Sequence, residues 1–113
     1  MNGEKRPWGR YEILFKASNV QVKRIEVASG LRFSLQKHAR RAEKWIVLSG
    51  SGVATLEGRE VPVSRGVFVD VPLGAVHRMH NTGKEPLVFI EVQLGDYFGE
   101  DDIVRLADDF SRV

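Results

Sequence analysis

The chain has 113 residues, which is enough for one domain and too few for two. Its 17 basic and 15 acidic residues leave a net charge of +2, so nothing points to nucleic-acid binding, and we expect Arg40 and Arg41 to be solvated. The absence of cysteine excludes disulfides and thiolate metal sites, and no apolar run approaches the roughly 18 residues of a membrane span. We therefore predict a cytoplasmic protein without a nucleic-acid or membrane partner.

Apolar and polar residues alternate along most of the chain, as is typical of half-buried β-strands. An arm and a first strand are expected over 1–19, with Trp8 and Tyr11 as anchors. Further strands are predicted at 20–27, 45–48, 53–57, 61–63, 67–71, 76–79 and 87–94. Turn residues separate these runs, and Gly58-Arg59 is a predicted hairpin turn.

Many short strands at this spacing indicate an all-β sandwich or barrel, with its core over 20–98. The predicted exception is the tail over 99–113. There, Asp101-Asp102 is expected to cap a short helix whose apolar stripe includes Ile103, Val104 and Leu106. We treat 1–113 as a single domain.

Four side chains in two separate segments have the chemistry of metal ligands. Gln36 and His38 are two residues apart, so they share one face of a strand, and Glu43 follows after a short loop. His77 comes much later, on a strand that a barrel can place beside the first. One amide, two imidazoles and one carboxylate suit zinc, iron, manganese, cobalt or nickel, and we predict one divalent metal ion, with zinc favoured.

The same residues carry a resemblance to a known superfamily. Gly30, Gln36, His38, Glu43 and Gly50 resemble the first cupin motif, with glutamine in place of its first histidine. The second cupin motif is matched in order and spacing by Gly66, Pro72, Gly74, His77 and Asn81. The resemblance implies a double-stranded β-helix, or jelly-roll, barrel.

A narrower resemblance covers almost the whole chain. It is carried by segments 6–11, 21–25, 34–38, 41–45, 77–78, 90–93 and 99–105. These are similar to the type II mannose-6-phosphate isomerase domain, which is often fused to a mannose-1-phosphate guanylyltransferase domain. A glutamine ligand is itself a feature of that family. The resemblance implies a free-standing, metal-dependent isomerase that converts mannose 6-phosphate to fructose 6-phosphate through an enediol.

Such a reaction needs a base and groups that hold a phosphosugar. Glu91 is the candidate base, although a buried partner of a basic residue is an equal alternative. Gln93 shares its strand face, and Ser34 shares the face of Gln36. The candidate phosphate contacts are Lys23, Arg78 and Arg105, each of which has a surface charge as its alternative role.

Three functions remain open from the sequence. The first is the sugar-phosphate isomerase, and the second is another metal-dependent cupin reaction, such as a dioxygenase or a different sugar isomerase. The third is a non-catalytic module that binds sugar or metal, because one fold hosts many functions. A homodimer is expected in each case.

Overall fold

The computed structural model describes residues 3–110, and of Glu100 it describes only the backbone. Eleven strands follow one another along this part of the chain. They are β1 (Gly3–Arg6), β2 (Gly9–Lys16), β3 (Val20–Val27), β4 (Leu35–His38), β5 (Arg41–Ser49), β6 (Ser51–Leu56), β7 (Arg59–Ser64), β8 (Phe68–Val71), β9 (His77–Asn81), β10 (Leu87–Gly95) and β11 (Ile103–Ala107). No helix within residues 3–110 is long and apolar enough to cross a membrane.

The strands form two antiparallel sheets. The first has six strands in the order β1-β2-β3-β10-β5-β8, and the second has five in the order β11-β4-β9-β6-β7. Strands distant in sequence are neighbours in both sheets, which brings the two predicted ligand segments together. The sequence prediction of an all-β fold is confirmed.

The alternation of side chains explains where the core lies. In β5, Trp45 and Val47 are buried, whereas Ile46 and Leu48, which alternate with them, are exposed. The buried face of each sheet contributes to one apolar cluster, in which Phe89 of the first sheet joins Met79 of the second. Each strand therefore presents one face to the interior and the other to solvent.

The hairpin between β6 and β7 turns one residue earlier than the sequence suggested. Its central residues are Glu57 and Gly58, and both have positive φ, at 49° and 78°. A two-residue turn with both central residues in the left-handed region matches the right-handed twist of the flanking strands. Glycine satisfies this requirement at the second position without steric cost.

The predicted C-terminal helix is wrong for the described residues. A single 3₁₀ turn at Glu100–Asp102 leads directly into strand β11, which pairs with β4. The β-branched residues Ile103 and Val104 favour the extended backbone, and β4 would otherwise have an unpaired edge. In so short a segment, the apolar residues fit the period of a helix as well as that of a strand. The available sheet edge decides in favour of the strand.

Asp102 has a different role from the helix cap that we expected. Its carboxylate accepts hydrogen bonds from the backbone N–H groups of Ala39 and Arg40, at 3.1 and 3.0 Å. These residues form the turn between β4 and β5. The acidic tail segment thus holds the turn that separates His38 from Glu43.

Candidate metal centre

The fold brings three potential ligands from three strands to one point. His38 ends β4, Glu43 lies in β5 of the facing sheet, and His77 begins β9. All three are buried, and one ligand atom from each lies within 4.8 Å of the others. Gln36 is the register partner of His77 on neighbouring strands, so the two side chains lie next to each other.

The distances between donor atoms fit a bound cation. Glu43 Oε2 lies 3.3 Å from His38 Nε2, and Glu43 Oε1 lies 3.5 Å from His77 Nε2. Ligands about 2.1 Å from a metal are roughly 3.0–3.4 Å apart in octahedral or tetrahedral geometry. The buried Nδ1 of His38 also has no hydrogen-bond partner among the described residues, so protein contacts alone leave this ring incompletely satisfied.

His77 is held in the form that a metal requires. Its Nδ1 lies 2.9 Å from the carbonyl oxygen of Ala75, to which it donates a hydrogen bond, so the lone pair is on Nε2. Burial lowers the pKa of His77, although the charge of Glu43 opposes this shift. A neutral imidazole with Nε2 directed at Glu43 is a competent ligand for a divalent cation.

Ser34 orients Gln36. The amide nitrogen of Gln36 donates to the hydroxyl oxygen and the carbonyl oxygen of Ser34, at 3.2 and 3.3 Å. Because the nitrogen is engaged there, the amide oxygen is the end left to act as a ligand. Ser34, which we predicted as a substrate contact, lines the cavity and orients Gln36.

Glu43 is surrounded by positive and hydrogen-bonding groups. Burial alone raises a carboxyl pKa, but the two histidines and Arg41 outweigh it and hold the pKa of Glu43 well below its usual value. Trp45 Nε1 also donates to Glu43 Oε1 at 3.0 Å. Glu43 is therefore ionised at neutral pH, which is the state in which a carboxylate can act as a metal ligand.

Sequence reasoning missed Arg41, which is buried with 5% exposure instead of solvated. Its Nε lies 3.3 Å from Glu43 Oε2, and one terminal nitrogen lies 3.3 Å from His38 Nε2. A bound metal ion would compete with this guanidinium for the same carboxylate oxygen and imidazole nitrogen. The available signal was strand parity, because Arg41 and Glu43 are two residues apart and share the inner face.

One cavity joins these groups to the other predicted site residues, and it has a volume of about 540 Å³ when its open mouth is included. Glu91, Gln93, Lys23 and Arg105 all line it. Burial, and then the charge of Glu43, raises the pKa of Glu91 to about 8. Four cationic side chains among the described residues also line the cavity: Arg6, Lys23, Arg41 and Arg105.

Arg78 is the predicted site residue that the structure does not place in this cavity. Its guanidinium donates to the carbonyl oxygens of Phe33 and Ala107, at 2.8 and 3.2 Å. Arg78 follows His77 directly in β9, so the two side chains lie on opposite faces of the strand. The arginine thereby ties the C-terminal segment to the outside of the five-stranded sheet.

Comparison with known proteins identifies the family. The family described as "Mannose-6-phosphate isomerase C-terminal" matches residues 2–108. The chain belongs to this family. The resemblance that we drew from the cupin motifs is therefore confirmed.

Relatives in the family are longer proteins. The chain is 47% identical over 108 residues to the xanthan biosynthesis protein XanB of Xanthomonas campestris pv. campestris. It is 40% identical over 107 residues to a mannose-1-phosphate guanylyltransferase of Klebsiella pneumoniae. These alignments cover 96% and 95% of this chain but only 23% of each relative.

The fold has counterparts among solved structures. A Klebsiella pneumoniae protein with a double-stranded β-helix domain superimposes with a TM-score of 0.74 and 20% sequence identity. The match covers 87% of this chain and 83% of that protein. The predicted cupin barrel is thus confirmed, apart from the short helix.

Proposed function

We propose that this domain is a metal-dependent aldose–ketose isomerase of a phosphorylated hexose, with mannose 6-phosphate and fructose 6-phosphate as its substrate pair. The observation that carries the proposal is a single cavity that contains both a cluster of metal-ligand side chains and a separate buried carboxyl, Glu91. Membership of a family described by mannose-6-phosphate isomerase supports this substrate class.

The metal ligands in this proposal are Gln36, His38, Glu43 and His77. A divalent cation held there supplies a Lewis acid that stabilises negative charge on the two neighbouring oxygens of the sugar. Lowered pKa values keep Glu43 ionised and His77 neutral, which are the states in which each can act as a ligand. Zinc is our first choice of metal because imidazole and carboxylate donors suit it.

Glu91 is the proposed base, since Glu43 is used as a ligand. Its carboxylate removes the proton from C2 of the aldose, which gives an enediol after the C1 oxygen is protonated. The same carboxyl returns the proton to C1, while the proton of the C2 hydroxyl leaves and the C2 carbonyl forms. A pKa of about 8 suits a group that must accept and release a proton near neutral pH.

Positive side chains at the cavity are suited to the substrate phosphate. Lys23 is the register partner of Glu91, and Arg105 is the register partner of Gln36 in the other sheet. Both line the cavity from opposite sheets, so a phosphosugar between them meets a cation on each side. Arg6 lines the same cavity and adds to its positive charge. We leave Arg78 out of this set.

We also propose that the protein is cytoplasmic, because sugar phosphates are processed in the cytoplasm.

A coupled isomerase assay tests the proposal. Protein stripped with a chelator is reloaded separately with zinc, manganese, cobalt, nickel or iron and given mannose 6-phosphate. We expect turnover that requires the metal and disappears in His77→Ala, because that variant loses a ligand.

His80→Ala is the matched control. His80 is half-buried on the same strand as His77 but outside the cavity lining, so its loss should leave turnover within about 3-fold of the unchanged protein. Metal-loaded protein without turnover would reject the isomerase and favour either a binding module or another cupin reaction. Oxygen consumption with iron would identify a dioxygenase.

A further inference from the structure

Two buried glutamines lie behind the proposed base. Gln21 is 3% exposed in β3, and Gln93 is 0% exposed in β10. They are register partners on neighbouring strands. Gln93 and Glu91 line the cavity, whereas Gln21 is outside its lining. Gln21 can therefore influence a bound ligand only through another side chain.

The three side chains form a directed chain of hydrogen bonds. Gln21 Nε2 donates to Gln93 Oε1 at 2.8 Å, and Gln93 Nε2 donates to Glu91 Oε1. Within residues 3–110, Gln93 is the one hydrogen-bond donor to the Glu91 carboxyl. In both amides the nitrogen is the end that faces the next side chain towards Glu91.

The direction of this chain follows from the chemistry of an amide, which has an acceptor end and a donor end. If Gln93 alone turned over, its nitrogen would face the nitrogen of Gln21, and its oxygen would face a Glu91 carboxyl that has no proton to donate when it acts as the base. Each mismatch leaves a buried polar group unsatisfied, at a cost of about 1–3 kcal/mol. Gln21 therefore fixes which end of Gln93 faces Glu91.

We propose that Gln21 is a positioning residue for the base: acting through Gln93, it keeps Glu91 Oε1 as a hydrogen-bond acceptor and leaves Oε2 to carry the transferred proton. This inference rests on the proposed function, because it assigns an atom to the proton transfer. The charged groups that face Glu91 are Lys23 from β3 and Arg41 and Glu43 from β5, and none of them makes a hydrogen bond to it in the described structure.

The test replaces Gln21 with methionine, which has a similar length but no donor. In the metal-loaded enzyme, we expect Gln21→Met to lower kcat roughly 10-fold, a fraction of what acid–base catalysis contributes. The KM for mannose 6-phosphate and the Kd for the metal should not change, since Gln21 contacts neither. Val22→Met on the opposite face of the same strand is the control and should retain full kcat.

A double-mutant cycle separates positioning from general support of the fold. If Gln21 acts through Gln93, then Gln21→Met should cause no further loss of kcat in a Gln93→Met background. The doubly substituted protein also has no unsatisfied amide left, so it remains measurable if the single variant folds poorly. Independent losses of kcat in the two backgrounds would overturn the proposal.

A second readout does not depend on turnover. The side-chain amide protons of Gln93 are observed by NMR in metal-loaded protein labelled with ¹⁵N. We expect two separate resonances in the unchanged protein, and a change in the chemical shifts of both in Gln21→Met, because Gln93 loses its fixed hydrogen-bond environment. Resonances that Gln21→Met leaves unaltered would reject the positioning role. Protein that shows the expected NMR change but lacks isomerase activity would reject the proposed function alone.

Discussion

At the scale of single residues, the cavity holds two buried carboxyls with opposite protonation behaviour. Histidines and Arg41 hold the pKa of Glu43 low, whereas burial and the charge of Glu43 raise that of Glu91 to about 8. When the surroundings move the pKa values of two carboxyl groups apart in this way, one group can serve as a charged ligand and the other as a proton carrier. The division of roles therefore comes from the surroundings, since the two side chains are chemically identical.

The raised pKa of Glu91 makes the stability of the metal-free protein depend on pH. The folded state holds this proton up to about pH 8, while an unfolded glutamate releases it near 4.5. Between these values the folded state binds more protons, so stability falls as pH rises. We expect Glu91→Gln to remove this fall, which amounts to roughly 3–4 kcal/mol between pH 5 and pH 8.

Urea unfolding of metal-free protein at several pH values measures this effect. The difference between the unchanged protein and Glu91→Gln isolates Glu91, because the contributions of other titrating groups cancel to first order. Two stability curves that run parallel from pH 5 to pH 8 would contradict the raised pKa.

At the scale of elements, the turn between β4 and β5 determines the spacing of two candidate ligands. His38 precedes it, Glu43 follows it, and Asp102 holds it from the C-terminal segment through two backbone N–H groups. Strand β11 then pairs with β4 and extends the sheet that carries Gln36 and His38. The C-terminal segment thus supports the candidate metal site through the backbone of this turn and the pairing with β4.

Replacement of Asp102 by alanine should therefore affect both stability and metal binding. Loss of a charged acceptor from two backbone donors should cost about 2 kcal/mol in the free energy of unfolding. Metal affinity, measured by calorimetry, should also fall because the turn between the ligands loosens.

Asp96→Ala is the comparison for this prediction. It removes an exposed ion pair with Arg40 in the same region, which should cost no more than about 1 kcal/mol and leave metal affinity unchanged. Equal effects of the two substitutions would show that Asp102 has no special role in holding the turn.

At the scale of the whole molecule, the outer face of the six-stranded sheet is a candidate interface. Ile46 is 45% exposed and Phe68 is 56% exposed, and they are register partners on β5 and β8. Ile90 adjoins Ile46 on the other side. Nearby on the same face, Lys44 pairs with Asp70. We propose that a second copy of the chain covers this face, because a patch with both charge signs can match itself across a two-fold axis.

Light scattering after size-exclusion chromatography tests the homodimer. We expect the unchanged protein to elute with twice the mass of the chain and Ile46→Asp to elute as a monomer, because a buried unpaired carboxylate disfavours the interface. Val61→Asp, at an exposed position on β7 in the other sheet, should remain dimeric. A monomeric unchanged protein would exclude the dimer, and a dimeric Ile46→Asp would place the interface elsewhere.

Much of the fold was determined locally. Apolar residues at every second position predicted strands wherever one face of the strand meets the core and the other meets solvent. Glycine indicated the turns between them. The same parity placed Gln36 with His38. Odd and even positions of a strand lie on opposite faces. This rule therefore predicts which side chains of one strand share a face, but it does not predict which strands are neighbours.

Contacts between distant strands were decided only by the tertiary structure. The chain from Gln21 to Gln93 joins residues 72 positions apart, and no local pattern reports such a pairing. Arg41 is buried because the inner face of β5 closes on the cavity, and segment 103–107 is a strand because β4 offers it an edge. The sequence by itself predicted most of the strands and the types of candidate ligand. Which faces close on each other, and which edge is filled, depended on packing that only the complete barrel provides.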